Sequence, residues 1–183
     1  MSLEHALLGF LQYTPLSGYD LKKTFDTTVN HFWPADQSQI YRTLNKLTTE
    51  GLIDMELVIQ KDKPNSKIYH ITKKGEEEFL DWLKSPINMA TPRIPLLVQI
   101  YFAAELSDEV IISIFEKVAD QIRDRINSFK NVTKAIFIAD TKPLTQRDLF
   151  FKELTYDYGL TINNAILNWI EKVIEQIQKG EYQ

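Results

Sequence analysis

DQSQIYRTLNKLTTEG, residues 36–51, decides how the rest of the chain is read. Asp36 is a favoured helix N-cap and Gly51 a natural stop beyond the last turn, so the stretch predicts one helix between them. At about 100° per residue, Ile40, Leu44 and Leu47 fall on a single stripe, the core face. Ser38, Arg42, Asn45 and Thr49 fall on the opposite side, and Tyr41 and Lys46 flank them. That outward face offers hydroxyls, an amide and a guanidinium, with Glu50 the one carboxylate at its edge. Such groups suit phosphates and base edges: guanidinium to guanine, amide to adenine, hydroxyls to either.

Working outward, Leu3, Leu7, Phe10 and Leu11 repeat at helical spacing and predict a first helix over about 3–13, ended by Thr14-Pro15. Ser17 can cap a second helix, with Asp20 in its first turn, Leu21 and Phe25 inward and an end near Val29. After Gly51 the period changes. LIDMELVIQ (52–60) and SKIYHIT (66–72) read as strands joined by KDKPN, a turn with a basic tip. Thr72 then caps a fourth helix, KKGEEEFLDWLKS, carrying Phe79, Trp82 and Leu83. Helix, helix, helix, hairpin, helix is the order of a winged helix-turn-helix.

Three prolines among residues 85–95 mark a linker. Beyond it, 96–106 reads as a short apolar helix. Two long amphipathic helices follow, over 107–140 and 144–179, separated by a break at Asp140-Thr-Lys-Pro143. The fold class is thus mainly α with a small β wing. Residues 1–84 are expected to form the DNA-binding domain and 96–183 a helical dimerisation domain. The stripe Phe151, Leu154, Tyr158, Ile162, Ile166, Trp169, Val173 and Ile177 is too apolar to stay in water and is the expected homodimer interface.

Net charge is −4, and residues 1–84 hold 10 basic against 12 acidic side chains. The positive charge is local: Lys61, Lys63, Lys67, Lys73 and Lys74 stand against Asp62 alone within 61–74, where a wing meets a phosphate backbone. The candidate DNA-contacting residues are therefore Ser38, Gln39, Tyr41, Arg42, Asn45, Lys46, Thr49, Lys61, Lys63 and Lys67, and the expected partner is operator DNA. No cysteine is present, which excludes disulfides and thiolate metal sites and suits a reducing compartment. His5, His31 and His70 share no ligand spacing, so no metal is expected. The N-terminus carries Glu4 in place of a basic lead and does not read as a signal peptide, and no run approaches the ~18 apolar residues of a membrane span. A soluble cytoplasmic protein is expected. No nucleophile, base and orienter fall together and no Gly-rich phosphate loop exists, so neither enzyme chemistry nor a cofactor is expected.

The same stretches resemble the PadR family of transcriptional regulators. SGYDLKKTF (17–25) looks like that family's second-helix signature, and FWPADQSQIYRTLNKLTTEGLI (32–53) like its most characteristic segment, through Trp33, Ser38, Gln39, Ile40, Tyr41, Leu44, Leu47, Gly51, Leu52 and Ile53. SKIYHITKKGEEEFLDWL (66–83) resembles its wing strand and following helix, through Lys67, Tyr69, Ile71, Thr72, Gly75 and Leu83. The long C-terminal half is similar to larger members with a virulence-activator-type helical domain. The resemblance implies a dimeric regulator, usually a repressor and sometimes an activator, that often answers to a small molecule, phenolic in some members, which adds an effector role to residues 96–183. It places Tyr41 and Arg42 on DNA at the start of the recognition helix and the 61–67 wing on the backbone. The wing here is short in arginine and carries Asp62, which implies a weaker phosphate grip.

Several side chains carry two readings. Trp33, before Pro34, is a core aromatic or part of an effector pocket; Trp82 likewise, with Tyr101 and Phe102 nearest the proline-rich joint as further pocket candidates. Tyr156, Tyr158 and Trp169 serve dimer packing or ligand stacking. His5 is expected to be capped or solvated, His70 to face outward and Glu76–Glu78 to form an exposed turn. The competing function is a winged-helix protein-interaction module that has lost DNA binding.

Overall fold

The computed structural model describes residues 2–59, 65–87, 91–139 and 144–182, the side chains of 2 and 130–139 excepted. The chain divides into two compact units, residues 1–87 with 134–146 and residues 88–133 with 147–183.

The first unit is built from α1 (Ser2–Tyr13), β1 (Leu16–Ser17), α2 (Gly18–Thr28), α3 (Gln37–Thr49), β2 (Ile53–Val58), β3 (Ser66–Ile71) and α4 (Lys73–Lys84). It is a winged helix-turn-helix, mostly helical with a small antiparallel sheet of order β1-β3-β2. The hairpin register pairs Ile53 with Ile71 and Val58 with Ser66. One core collects Leu7, Leu8, Leu11, Leu21, Phe25, Ile40, Leu44, Leu47 and Ile53, which the 3.6-residue stripes of the three helices bring together.

The caps explain where the helices begin. The Ser17 side chain accepts from the Asp20 amide at 3.1 Å, and Thr72 accepts from the Gly75 amide at 3.1 Å. Gly51 holds φ at 69°, the left-handed stop after α3. The Thr72 hydroxyl donates to the Gly51 carbonyl at 2.8 Å, and Lys74 Nζ reaches the Glu50 carbonyl at 2.8 Å. The end of the third helix is thereby tied to the start of the fourth.

Two features of this unit differ from the sequence expectation. β1 pairs with β3 through Leu16–Tyr69 and Ser17–Ile68, a third strand of two residues, too short for alternation to reveal. His5 is not solvated: it is 7% exposed. Its ring stacks on Trp82 at 4.5 Å and 7°, with Nε2 3.6 Å from a Glu78 oxygen. Trp82 in turn stays 37% exposed, covering His5 rather than entering the core, and Trp33 is 41% exposed.

The second unit contains α5 (Pro95–Tyr101), a 3-10 turn (Ala103–Glu105), and most of the long helices α6 (Asp108–Ala139) and α7 (Gln146–Gln178). The expected 96–106 helix is broken at Phe102, whose φ of −108° and ψ of 12° leave the helical region. No glycine or proline marks that break in the sequence. α6 and α7 pack antiparallel around Phe115, Ala119 and Ile170, joined by Ile111, Val118, Ile166, Leu167, Val173, Ile174 and Ile177. Further along, Phe129 meets Tyr156 edge-on at 6.2 Å, and a Cβ at Gly159 would stand 2.6 Å from the Phe129 ring.

Burial pushes the Tyr156 hydroxyl up from 10.0 to about 12. Its folded value lies above the unfolded one, so its contribution to stability is complete below pH 10 and is lost as pH rises towards 12. A phenolate absorbance titration should show one tyrosine ionising near pH 12, after exposed ones. Ionisation of all tyrosines together in the folded protein would contradict this packing.

Candidate nucleic-acid interface

The recognition face begins with a cap. The Asp36 carboxylate accepts from the Gln39 amide at 2.7 Å while Gln39 Oε1 accepts from the Asp36 amide at 2.9 Å. This reciprocal box satisfies two of the donors that a helix N-terminus leaves open and fixes the start of α3. Gln39 is thus committed through its side-chain oxygen to the cap. Asp36→Ala should cost about 1 kcal/mol and lower the melting temperature by roughly 4–8 °C, whereas Asp36→Asn should restore most of it. An unchanged melting curve for Asp36→Ala would show that the box contributes nothing.

Beyond the cap, Ile40, Leu44 and Leu47 are fully buried, which turns Ser38, Arg42, Asn45, Lys46 and Thr49 to solvent. Among the described residues Arg42 makes no ion pair, so its guanidinium is available in full. Lys46 differs: Nζ lies 2.5 Å from Glu4 and 3.7 Å from Glu50. Its hydrogen bond to Glu4 raises its pKa above the usual lysine value. An exposed pair of this kind is weak, so a phosphate can displace it, but at some cost. The Thr49 hydroxyl donates back to the Asn45 carbonyl at 3.0 Å, which leaves the Asn45 amide group itself outward.

Tyr41 is half-buried, and its ring lies over Gly18, where a Cβ would meet it at 2.6 Å. Glycine at that position therefore lets the second helix approach the recognition helix. A cleft of about 330 Å³ opens beside this contact, lined by Ser17, Gly18, Tyr19, Tyr41, Leu57, Asn65, Ser66 and Lys67. It brings the start of α2, the start of α3 and the stem of the wing to one place. Lys67 is exposed on β3 at its edge. Lys61 and Lys63 lie outside the described residues.

Tyr19, part of the second-helix signature but not among the candidate DNA contacts, is 69% exposed and lines the cleft. The signal was present: Leu21 and Phe25 set the inward face of α2, and Tyr19 lies about 200–240° away around the helix.

In the second unit the apolar stripe of α7 divides. Phe151, Leu154, Tyr158 and Ile162 are exposed, whereas Ile166, Val173 and Ile177 pack against α6 of the same chain. Trp169 is partly exposed, its ring edge-on to Phe115 at 5.9 Å. From Phe151 to Ile177 the steps average slightly more than 3.6, so the stripe turns by about 80° around the helix. Its second half faces inward for that reason. Of the pocket candidates, Phe102 lines a cavity of about 390 Å³ between α5 and α6, and Tyr101 is 82% exposed outside it. Trp33 and Trp82 lie in the first unit and line neither cavity.

Among the described residues no helix is long and apolar enough to cross a membrane, and no cluster of acidic or histidine side chains has metal-binding geometry.

Residues 7–81 match the transcriptional regulator PadR-like family, and residues 92–178 match the virulence activator alpha C-terminal family. The chain is 29% identical to the negative transcriptional regulator PadR of Bacillus subtilis (strain 168), over 97% of this chain and 98% of that protein. Among solved structures, Bacillus subtilis PadR in complex with operator DNA superposes with a TM-score of 0.82 at 28% identity, covering 97% of this chain and 99% of that one. The same regulator in complex with p-coumaric acid gives a TM-score of 0.78 at 26% identity, with 97% and 99% covered. With a winged helix-turn-helix in its first half and a long-helix domain in its second, the chain joins a domain of the transcriptional regulator PadR-like family, over residues 7–81, to a domain of the virulence activator alpha C-terminal family, over residues 92–178.

Proposed function

We propose that the chain is a dimeric, sequence-specific DNA-binding repressor whose hold on its operator is relieved by a small aromatic or phenolic compound. The observation that carries this is the outward face of α3. Ser38, Arg42, Asn45 and Thr49 stand exposed beside the Tyr19–Tyr41–Lys67 cleft, in a chain similar along its length to a regulator crystallised on operator DNA. Arg42 and Asn45 read bases, Ser38, Gln39, Tyr41 and Thr49 position the helix, and Lys46, Lys61, Lys63 and Lys67 meet phosphates. Residues 1–84 bind DNA, 85–95 link, and 96–183 dimerise and hold the effector. The exposed half of the α7 stripe supplies the interface with a second copy, and the cytoplasm is the site of action. The effector reading is supported by the relative's p-coumaric acid complex.

The test separates readout from positioning. Arg42→Ala and Asn45→Ala should each lose ~1–3 kcal/mol of binding, confined to particular operator positions. Lys67→Ala should weaken all duplexes alike and lower the slope of log affinity against log salt by about one. Identical behaviour of Arg42→Ala and Lys67→Ala on matched and mismatched duplexes would refute the division of roles. A flat salt dependence for the unmodified protein would favour the protein-interaction module.

A further inference from the structure

The cavity between α5 and α6 has a chemistry of its own. Its walls are Leu96, Ile100, Phe102, Ala103, Leu106, Ile111, Ile114 and Phe115, and its only polar side chains are Gln99 and Glu105. At about 390 Å³ it falls within the size range of small-molecule sites. Glu105 is the one charged side chain in its lining. Arg93 and Lys117 border the segment in sequence but do not line the cavity. Glu105 makes no ion pair among the described residues.

We propose that this cavity binds a flat, apolar small molecule that carries no negative charge, and that Glu105 rejects carboxylates. The apolar walls supply affinity by taking an aromatic ring out of water. Gln99 offers an amide that hydrogen-bonds an uncharged ester, amide or phenol. A carboxylate entering the same space would lie beside Glu105 with no cation in the lining to offset it, and like charges that close repel. A second copy of the chain is the rival occupant. The absence of basic groups from the lining and a volume of small-molecule size favour the small molecule. This proposal rests on the effector part of the proposed function but departs from the acid bound by the relative in naming an uncharged ligand class, and its binding test requires no DNA.

Methyl p-coumarate and p-coumarate share a ring and differ in charge, so they isolate the effect. Calorimetric titration of the full chain should show the ester binding about tenfold more tightly than the acid. Glu105→Gln should narrow that gap to within about threefold by improving the acid, with the ester little changed. Ala103→Phe, which fills the cavity, should abolish ester binding, with circular dichroism confirming the fold. Trp169 touches Phe115 on the cavity wall, so ester binding should change tryptophan emission, and Trp169→Phe should remove most of that change while calorimetry still records binding. Equal affinity for ester and acid, or a gap unmoved by Glu105→Gln, would overturn the proposal. So would absence of ester binding together with conversion of Ala103→Phe to a monomer, which would assign the groove to a second copy. Loss of operator binding alone would count against the regulator reading and leave this site standing.

Discussion

Gly75→Ala is expected to destabilise the winged-helix unit by about 3 kcal/mol or more, a fall in melting temperature on the order of 15 °C for a domain of this size. Gly75 is the third residue of α4, where intrinsic helix propensity alone would favour alanine by ~1 kcal/mol. The surroundings reverse that sign. A Cβ there would stand 2.1 Å from the Leu52 carbonyl oxygen and 2.9 Å from Ile71 Cγ1. The Leu52 oxygen cannot step aside freely, because it accepts from the Thr72 amide at 3.1 Å and lies 3.1 Å from the Thr72 hydroxyl. Relief of the clash therefore breaks the tie between the end of α3 and the start of α4, and with it the orientation of the recognition helix. Gly51→Ala is the control: it has a φ of 69° and no atoms nearby, so it should cost only ~1–2 kcal/mol. Thermal denaturation followed by circular dichroism measures both. A Gly75→Ala protein that melts with the unmodified one would refute the packing of α4 on Leu52.

The second large effect concerns the dimer. Leu154→Asp combined with Tyr158→Asp should give a monomer whose operator affinity is about 10²–10⁴-fold lower, since the second half-site contact becomes independent instead of linked. Both side chains are exposed within the chain, so their replacement should disturb the isolated fold little. Each large apolar side chain buried between copies contributes ~1.5–3 kcal/mol, and a buried unpaired carboxylate adds a penalty. Light scattering should report the 21.4 kDa chain mass for the variant and twice that for the unmodified protein. A double variant that remains dimeric with full affinity would place the interface elsewhere.

The sequence disclosed most where local chemistry and tertiary packing agree. Asp36 and Gly51 bound the recognition helix by a capping hydrogen bond and a backbone preference, and Ile40, Leu44 and Leu47 turn its polar face outward; the part Gln39 takes in the cap was not read from the sequence. Features set by partners distant in sequence were hidden. β1 exists because Tyr69 and Ile68 lie alongside, not because Leu16 and Ser17 favour a strand. His5 is buried because Trp82, far along the chain, covers it. The break at Phe102 carries no glycine, proline or cap, so periodicity ran through it. The α7 stripe was legible as one apolar band, but its slow rotation, which assigns half to the chain's own core, emerges only when α6 is in place. At the site, the outward set on α3 was legible, while Tyr19 and the cleft depend on the approach of α2 to Tyr41 over Gly18.

Two copies of this chain are expected to read a particular DNA sequence. Selection of bound duplexes from a random pool at physiological salt tests it most directly. The selected pool should be enriched in an inverted repeat whose half-sites lie about one helical turn, ~10 base pairs, or a multiple of it apart, with Arg42→Ala relaxing the choice at defined positions in each half. Recovery of unenriched sequence by a folded, dimeric protein would contradict it.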